Sequence, residues 1–165
     1  MKEKNAMVAV LMGSTSDAPV LEKCFSVIKS FDVPYEVRVL SAHRTPAETA
    51  EFIEEAERAG VEVFVAAAGM AAHLAGAVAA HTTRPVIGIP VASGPLNGQD
   101  ALFSTVMMPP GVPVATVGIN GGANAGHLAV QILALSHPEL RDRLVKARSD
   151  MREGVLEKDR AFPRS

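Results

Sequence analysis

The residues best suited to chemistry sit in three short runs: Gly13-Ser14-Thr15-Ser16-Asp17, Ser41-Ala42-His43-Arg44-Thr45-Pro46 and Ala68-Gly69-Met70-Ala71-Ala72-His73. The first opens with a glycine that permits a tight turn. It then offers hydroxyls and a carboxylate just ahead of a helix with Pro19 in its first turn, so its N–H groups and serines can hold a phosphate. The alternative for the same residues is ordinary N-capping by Ser16 or Asp17. In the second run, Thr45-Pro46-Ala47-Glu48 has the form of a capping box with proline at the first helical position, which puts His43 and Arg44 just outside a positive helix end. A guanidinium placed there can chelate phosphate oxygens in bidentate fashion. An imidazole, which exchanges its proton near neutral pH, suits proton transfer.

Taken singly, Arg44 also reads as a solvated surface arginine and His43 as a packed or exposed histidine. Their adjacency, at the same strand end as a serine-rich turn, favours a site. In the third run Gly69 allows backbone to approach a ligand closely, and the small residues before His73 and Leu74 leave room for a substrate group. The segment from Ala71 to Ala80 reads equally as tight helix packing. The later loop Ser93-Gly94-Pro95-Leu96-Asn97-Gly98 either closes the pocket or only connects elements.

These runs need strands and helices to bring them together, and the chain supplies both in alternation. Apolar runs Met7 to Met12, Tyr35 to Leu40, Val63 to Ala67, Val86 to Ile89 and Val114 to Ile119 have strand length. Between them, Val20, Leu21, Cys24, Phe25, Ile28 and Phe31 recur at helical spacing, as do Ala50, Ile53 and Ala56 within Pro46 to Ala59. Further helices are expected at Asp100 to Met108, Asn124 to Leu135 and from Pro138 to about Asp159, and the segment Ala71 to Ala80, small and apolar nearly all round, is deeply packed or at an interface if helical. The last carries a single stripe, Leu140, Leu144, Ala147, Met151 and Val155, that should dock on something, a neighbouring subunit included. The pattern predicts βαβ units around a parallel sheet buried on both faces, and loops at the carboxyl ends of such strands surround the ligand crevice.

Composition sets the bounds. A chain of 165 residues is expected to be one domain, 1–165, burying roughly 70 % of its unfolded surface. With 48 % hydrophobic but only 4 % aromatic residues, its core is built from Ala, Val, Leu, Ile and Met. A net charge of −2 with scattered basic residues speaks against nucleic acid as a partner. The single cysteine, Cys24, lies on the apolar face of the first helix, so it reads as core, and a reducing, cytoplasmic setting is expected. The N-terminal run reads as neither a signal peptide nor a membrane anchor. Positive mean hydropathy in so small a chain points to apolar surface hidden in a homo-oligomer. The five histidines form no paired ligand motif, and no Gly-x-Ser-x-Gly elbow occurs, so a metal site and a serine hydrolase are both disfavoured.

Taken with Ala71-Ala72-His73-Leu74, Pro85-Val86-Ile87-Gly88, Leu96-Asn97-Gly98 and Met108-Pro109-Pro110-Gly111-Val112-Pro113-Val114, the three runs resemble the aminoimidazole ribonucleotide carboxylase family of purine biosynthesis, from about Val8 to Glu157. The resemblance implies a flavodoxin-like, three-layer α/β/α sandwich around a parallel sheet, with a C-terminal helix extending to a neighbouring subunit of an octamer. It also implies a small nucleotide substrate and neither metal nor organic cofactor. Ala-Ala-His-Leu looks like the branch that isomerises N5-carboxyaminoimidazole ribonucleotide to 4-carboxy-5-aminoimidazole ribonucleotide. The other branch carboxylates aminoimidazole ribonucleotide with CO2. On matching positions, Ser14, Ser41 and Arg44 would contact phosphate, Asp17 the ribose hydroxyls, and His43 would act as general acid and base. His73 and Leu74 would belong to a mobile loop around released CO2. Gly13, Ser16, Ala42, Gly69 and Ala72 complete the expected substrate-binding set. Two departures fall in the mobile loop: Met70 stands where glycine is common, and Ala75 replaces the usual proline. A competing reading from another class is a non-enzymatic flavin- or nucleotide-binding module, for which the absence of Trp and the single Tyr35 leave few stacking partners.

Overall fold

The fold was taken from a computed structural model that describes residues 5–163. The terminal residues of the 1–165 domain reading, and most of the N-terminal run read for a leader, lie outside the described residues. Five parallel strands form the centre: β1 Val8–Met12, β2 Tyr35–Val39, β3 Val63–Gly69, β4 Val86–Val91 and β5 Ala115–Thr116. Their order across the sheet is β2-β1-β3-β4-β5. The helices are α1 Ala18–Ser30, α2 Pro46–Ala59, α3 Leu74–His81, α4 Gln99–Val106, α5 Gly122–Leu133 and α6 Pro138–Ala161. A 3-10 turn, Thr15–Asp17, leads into α1.

The alternation of side chains along each strand divides the core in two. From β1, Val8, Val10 and Met12 join Leu21, Cys24 and Ile28 of α1 and Ala125, Ala129 and Val130 of α5. Ala9 and Leu11 point the other way, to Phe52 and Ile53 of α2 and Leu74 and Val78 of α3. This is a sheet with helices on both faces, the flavodoxin-like arrangement that the apolar runs and the resemblance imply. Both faces are fully covered at β1 and β4, whereas β2 is an edge strand whose residues are half-buried or exposed.

The α1–α5 contact is the tightest between helices. A Cβ built on Gly126 would lie 2.9 Å from both the Cys24 carbonyl oxygen and Val27 Cβ, and one on Gly122 would collide with the Val20 carbonyl. Only glycine lets the two backbones approach this closely.

Four local differences from the sequence reading have clear causes. The fifth strand is confined to Ala115–Thr116, because Asn120 turns back in a left-handed conformation (φ 58°) and its N–H bonds the Pro90 carbonyl at 2.8 Å. α3 starts at Leu74 instead of Ala71, since Met70 is left-handed (φ 55°) and residues 70–73 form two successive tight turns, Ala72 N to Met70 O and His73 N to Ala71 O. Thr45 stands before α2 with Pro46 in the first turn, but makes no capping-box bond to the helix; its hydroxyl instead donates to Ser41 O (3.2 Å) and accepts from Ser41 N–H (2.8 Å). The α6 stripe docks over its first half only. Leu140 is buried and Leu144 and Ala147 pack on the α1–α5 core, while Met151 and Val155 are 49 % and 65 % exposed.

Among the described residues no helix is long and apolar enough to cross a membrane.

Candidate functional site

The strand order reverses direction between β1 and β3, so the loops leaving their carboxyl ends diverge and open a crevice there. A cavity of about 470 Å³ occupies that crevice. It is lined from the β1 and β2 side by Gly13, Ser14, Ser16, Asp17, Ser41, Ala42, His43 and Arg44. The β3 and β4 side contributes Ala68, Gly69, Met70, Ala71, His73, Leu74 and Ser93. Its size suits a small molecule bearing one or two rings.

The turn after β1 is held from within and from its neighbour. Ser14 precedes the 3-10 turn, and its Oγ accepts from Ser16 N–H at 3.3 Å and from the Ser16 hydroxyl at 3.0 Å. Arg44 reaches across from the second loop: Nη2 donates to the Gly13 carbonyl at 2.7 Å and Nε to Ser41 Oγ at 3.4 Å. Ser41 Oγ also accepts the Arg44 backbone N–H at 3.3 Å. The guanidinium therefore stands in a fixed direction over the turn, with donors left over for an anion. The helix N-terminus behind the turn adds to the positive potential.

Asp17 lies beneath this cluster, 6 % exposed. Loss of hydration raises its carboxyl pKa above the ordinary value, and hydrogen bonds from the Ser14 backbone and the Ser16 side chain oppose that rise in part. A buried carboxylate with few partners of its own is a strong acceptor for ligand hydroxyls.

His43 and His73 meet over the centre of the cavity. Nε2 of His43 is 2.8 Å from Nδ1 of His73, and the rings stand edge to face, with centroids 4.9 Å apart. One of the two facing nitrogens must carry the proton, so the pair holds a transferable proton inside the crevice. Nothing in the spacing of the two residues announces this contact, because it depends on the turns at residues 70–73.

Of the expected catalytic and substrate-binding residues, all but Ala72 line the cavity. Ala72 is 1 % exposed and turned away from the crevice, because the paired turns around it alternate the side-chain directions. Ala68, Met70, Ala71 and Ser93 belong to the lining as well, outside the expected substrate-binding set. The signal for Ser93 was its place just past the carboxyl end of β4. Gly69 is required sterically, since a Cβ there would collide with Ser93 Oγ. The left-handed Met70 occupies a conformation that glycine adopts freely. Cys24 takes no part: it is buried in the core, and loss of hydration pushes its thiol up to about 12. Among the described residues no group of three or more His, Cys, Asp or Glu is placed to hold a metal ion.

Comparison with known proteins gives this arrangement a context. The chain is 52 % identical over 145 residues to the N5-carboxyaminoimidazole ribonucleotide mutase of Pyrococcus abyssi, covering 88 % of this chain and 83 % of that one. It is 50 % identical over 157 residues to the Mycobacterium tuberculosis protein of the same name, covering 95 % and 90 %. Among solved structures it superposes on Treponema denticola PurE with a TM-score of 0.87 at 30 % identity, over 95 % of this chain and 98 % of that one. The model of one family, AIR carboxylase, matches residues 7–154. With that match running from the residue before β1 into the exposed half of α6, the chain belongs to the AIR carboxylase family.

Proposed function

We propose that the cavity binds N5-carboxyaminoimidazole ribonucleotide and converts it to 4-carboxy-5-aminoimidazole ribonucleotide, with His43 as general acid and base. The observation that carries this reading is the convergence of an anion-binding turn, a braced arginine and an imidazole pair on one cavity. It occurs in a chain about half identical to proteins named for this reaction.

Ser14, Ser41 and Arg44 receive the phosphate and Asp17 the ribose hydroxyls, which directs the base toward His43. Breaking the N–carboxyl bond leaves its electron pair on the nitrogen, which takes a proton, and frees CO2. The ring carbon C4 then uses its enamine electrons to attack CO2 and loses its own proton to the base. The proton consumed in the first half is returned in the second, so a single imidazole serves both, on the scale of about 10²-fold or more in rate. Ala71 and Leu74 line the same cavity and shield the carbamate from water, which favours loss of CO2. Retention of CO2 beside C4 removes the need for a bimolecular capture.

The exposed second half of α6 supports a homo-oligomer, read here as an octamer with α6 reaching a neighbour. A cytoplasmic location accords with one buried cysteine and a soluble nucleotide substrate.

The reading is tested by supplying aminoimidazole ribonucleotide with bicarbonate and, separately, the N5-carboxylated nucleotide, and following formation of the C4-carboxylated product. Faster product formation from the N5-carboxylated nucleotide is expected. Preference for aminoimidazole ribonucleotide with bicarbonate would make the protein a direct carboxylase, and no product from either would leave a binding module.

A further inference from the structure

Ser93 is the one cavity residue contributed from beyond β4. It is half-buried, two residues past Val91, which pairs with Gly69 at the end of β3. Its hydroxyl occupies the space over Gly69 that any larger residue at that position would fill. Unlike Ser14, Ser16 and Ser41, whose hydroxyls are tied into the turns around them, Ser93 has no hydrogen-bond partner among the described residues. The lining contributed by the loop after β3 is otherwise apolar apart from His73, whose Nδ1 is engaged by His43.

Its position along the sheet decides which part of a ligand it meets. Neighbouring strands lie about 4.8 Å apart, and β4 is separated from β1 by β3, so Ser93 stands on the order of 10 Å from the anion-binding turn. A nucleotide anchored by its phosphate at Ser14 and Arg44 extends its base toward β3 and β4. A hydroxyl can donate to a carboxylate or accept from an exocyclic amine, and that of Ser93 is free to do either.

We propose that the Ser93 hydroxyl recognises the carboxyl group at the base end of the nucleotide and so sets the preference for carboxylated over uncarboxylated ligand. This rests on the nucleotide reading above. A hydrogen bond to a charged group, lost on truncation, corresponds to about tenfold or more in affinity.

The test compares wild type and Ser93→Ala by calorimetric titration with three ligands: 4-carboxy-5-aminoimidazole ribonucleotide, aminoimidazole ribonucleotide and ribose 5-phosphate. The expected result is a loss of about tenfold or more for the carboxylated nucleotide alone, with the other two unchanged within about twofold. Retained affinity for ribose 5-phosphate reports that the variant is folded. Equal weakening of all three ligands, or no change for any, overturns the assignment of Ser93. If wild type binds none of the three, the nucleotide reading itself falls. In a second variant, Gly69→Ala, the new methyl displaces the Ser93 hydroxyl, and the same loss of preference is expected; an intact preference there counts against the proposal.

Discussion

His43 Nε2 and His73 Nδ1 lie 2.8 Å apart although the two residues come from loops after different strands, β2 and β3. A bond between two imidazoles has one proton between the facing nitrogens, so each ring holds the other in place over the cavity. His43→Asn is expected to keep nucleotide affinity within several-fold and slow isomerisation by about 10²-fold or more. Steady-state turnover of the N5-carboxylated nucleotide measures this, and near-normal turnover would remove His43 from the chemistry. Because the rings act as a unit, the His43→Asn/His73→Asn double variant is expected to be slowed by less than the product of the two single effects.

Arg44 joins the first two loops through the Gly13 carbonyl and Ser41 Oγ. Arg44→Ala removes both that brace and the proposed phosphate donor, so nucleotide affinity should fall about 10- to 100-fold, the range for hydrogen bonds to charged groups. Calorimetric titration decides it, and unchanged affinity would exclude phosphate chelation by this residue.

Burial raises the folded pKa of Asp17 above the ordinary value, so its ionised form costs stability. Between those two values the folded chain holds a proton that the unfolded chain has released, so stability increases as pH falls through the folded pKa toward the ordinary one. Asp17→Asn should therefore melt higher than wild type at pH 7, lose this step in a pH series, and bind the nucleotide more weakly. A lower melting temperature for the variant would mean that the hydrogen bonds from Ser14 and Ser16 outweigh the cost of burial.

The same substitution should have opposite signs at two glycines. Gly126→Ala forces α1 and α5 apart and is expected to cost about 1–3 kcal/mol. Gly154→Ala, in α6 with no atom near the added methyl, should stabilise by up to about 1 kcal/mol through helix propensity. Urea midpoints measure both, and a Gly126→Ala midpoint equal to wild type would mean that the close approach is not needed.

Much of this arrangement was legible in the chain because β1, β3 and β4 are covered on both faces and so read as unbroken apolar runs. The polar runs that follow β1 and β2 stood out against them. What escaped is decided by backbone turns that no periodicity encodes. Met70 adopts a left-handed conformation despite its side chain, which delays α3, turns Ala72 inward and brings His73 to His43. Thr45 has the composition of a helix cap, yet its hydroxyl is better satisfied by Ser41 across the same loop. Ser93 offered only its place after a strand, and that place became informative once the strand order put β4 beside β3.

The glycine-mediated seating of α5 on α1 reaches beyond the core. α1 begins at the residue after the turn Thr15–Asp17, so that turn is mounted on a pair of helices locked backbone to backbone. On the opposite wall, residues 69–73 and 93–98 hold Met70, Gly94, Asn97 and Gly98 in left-handed conformations and approach one another closely at Gly69 and Ser93. One wall of the crevice is thus seated on interlocked helices, while the shape of the other is written in backbone turns.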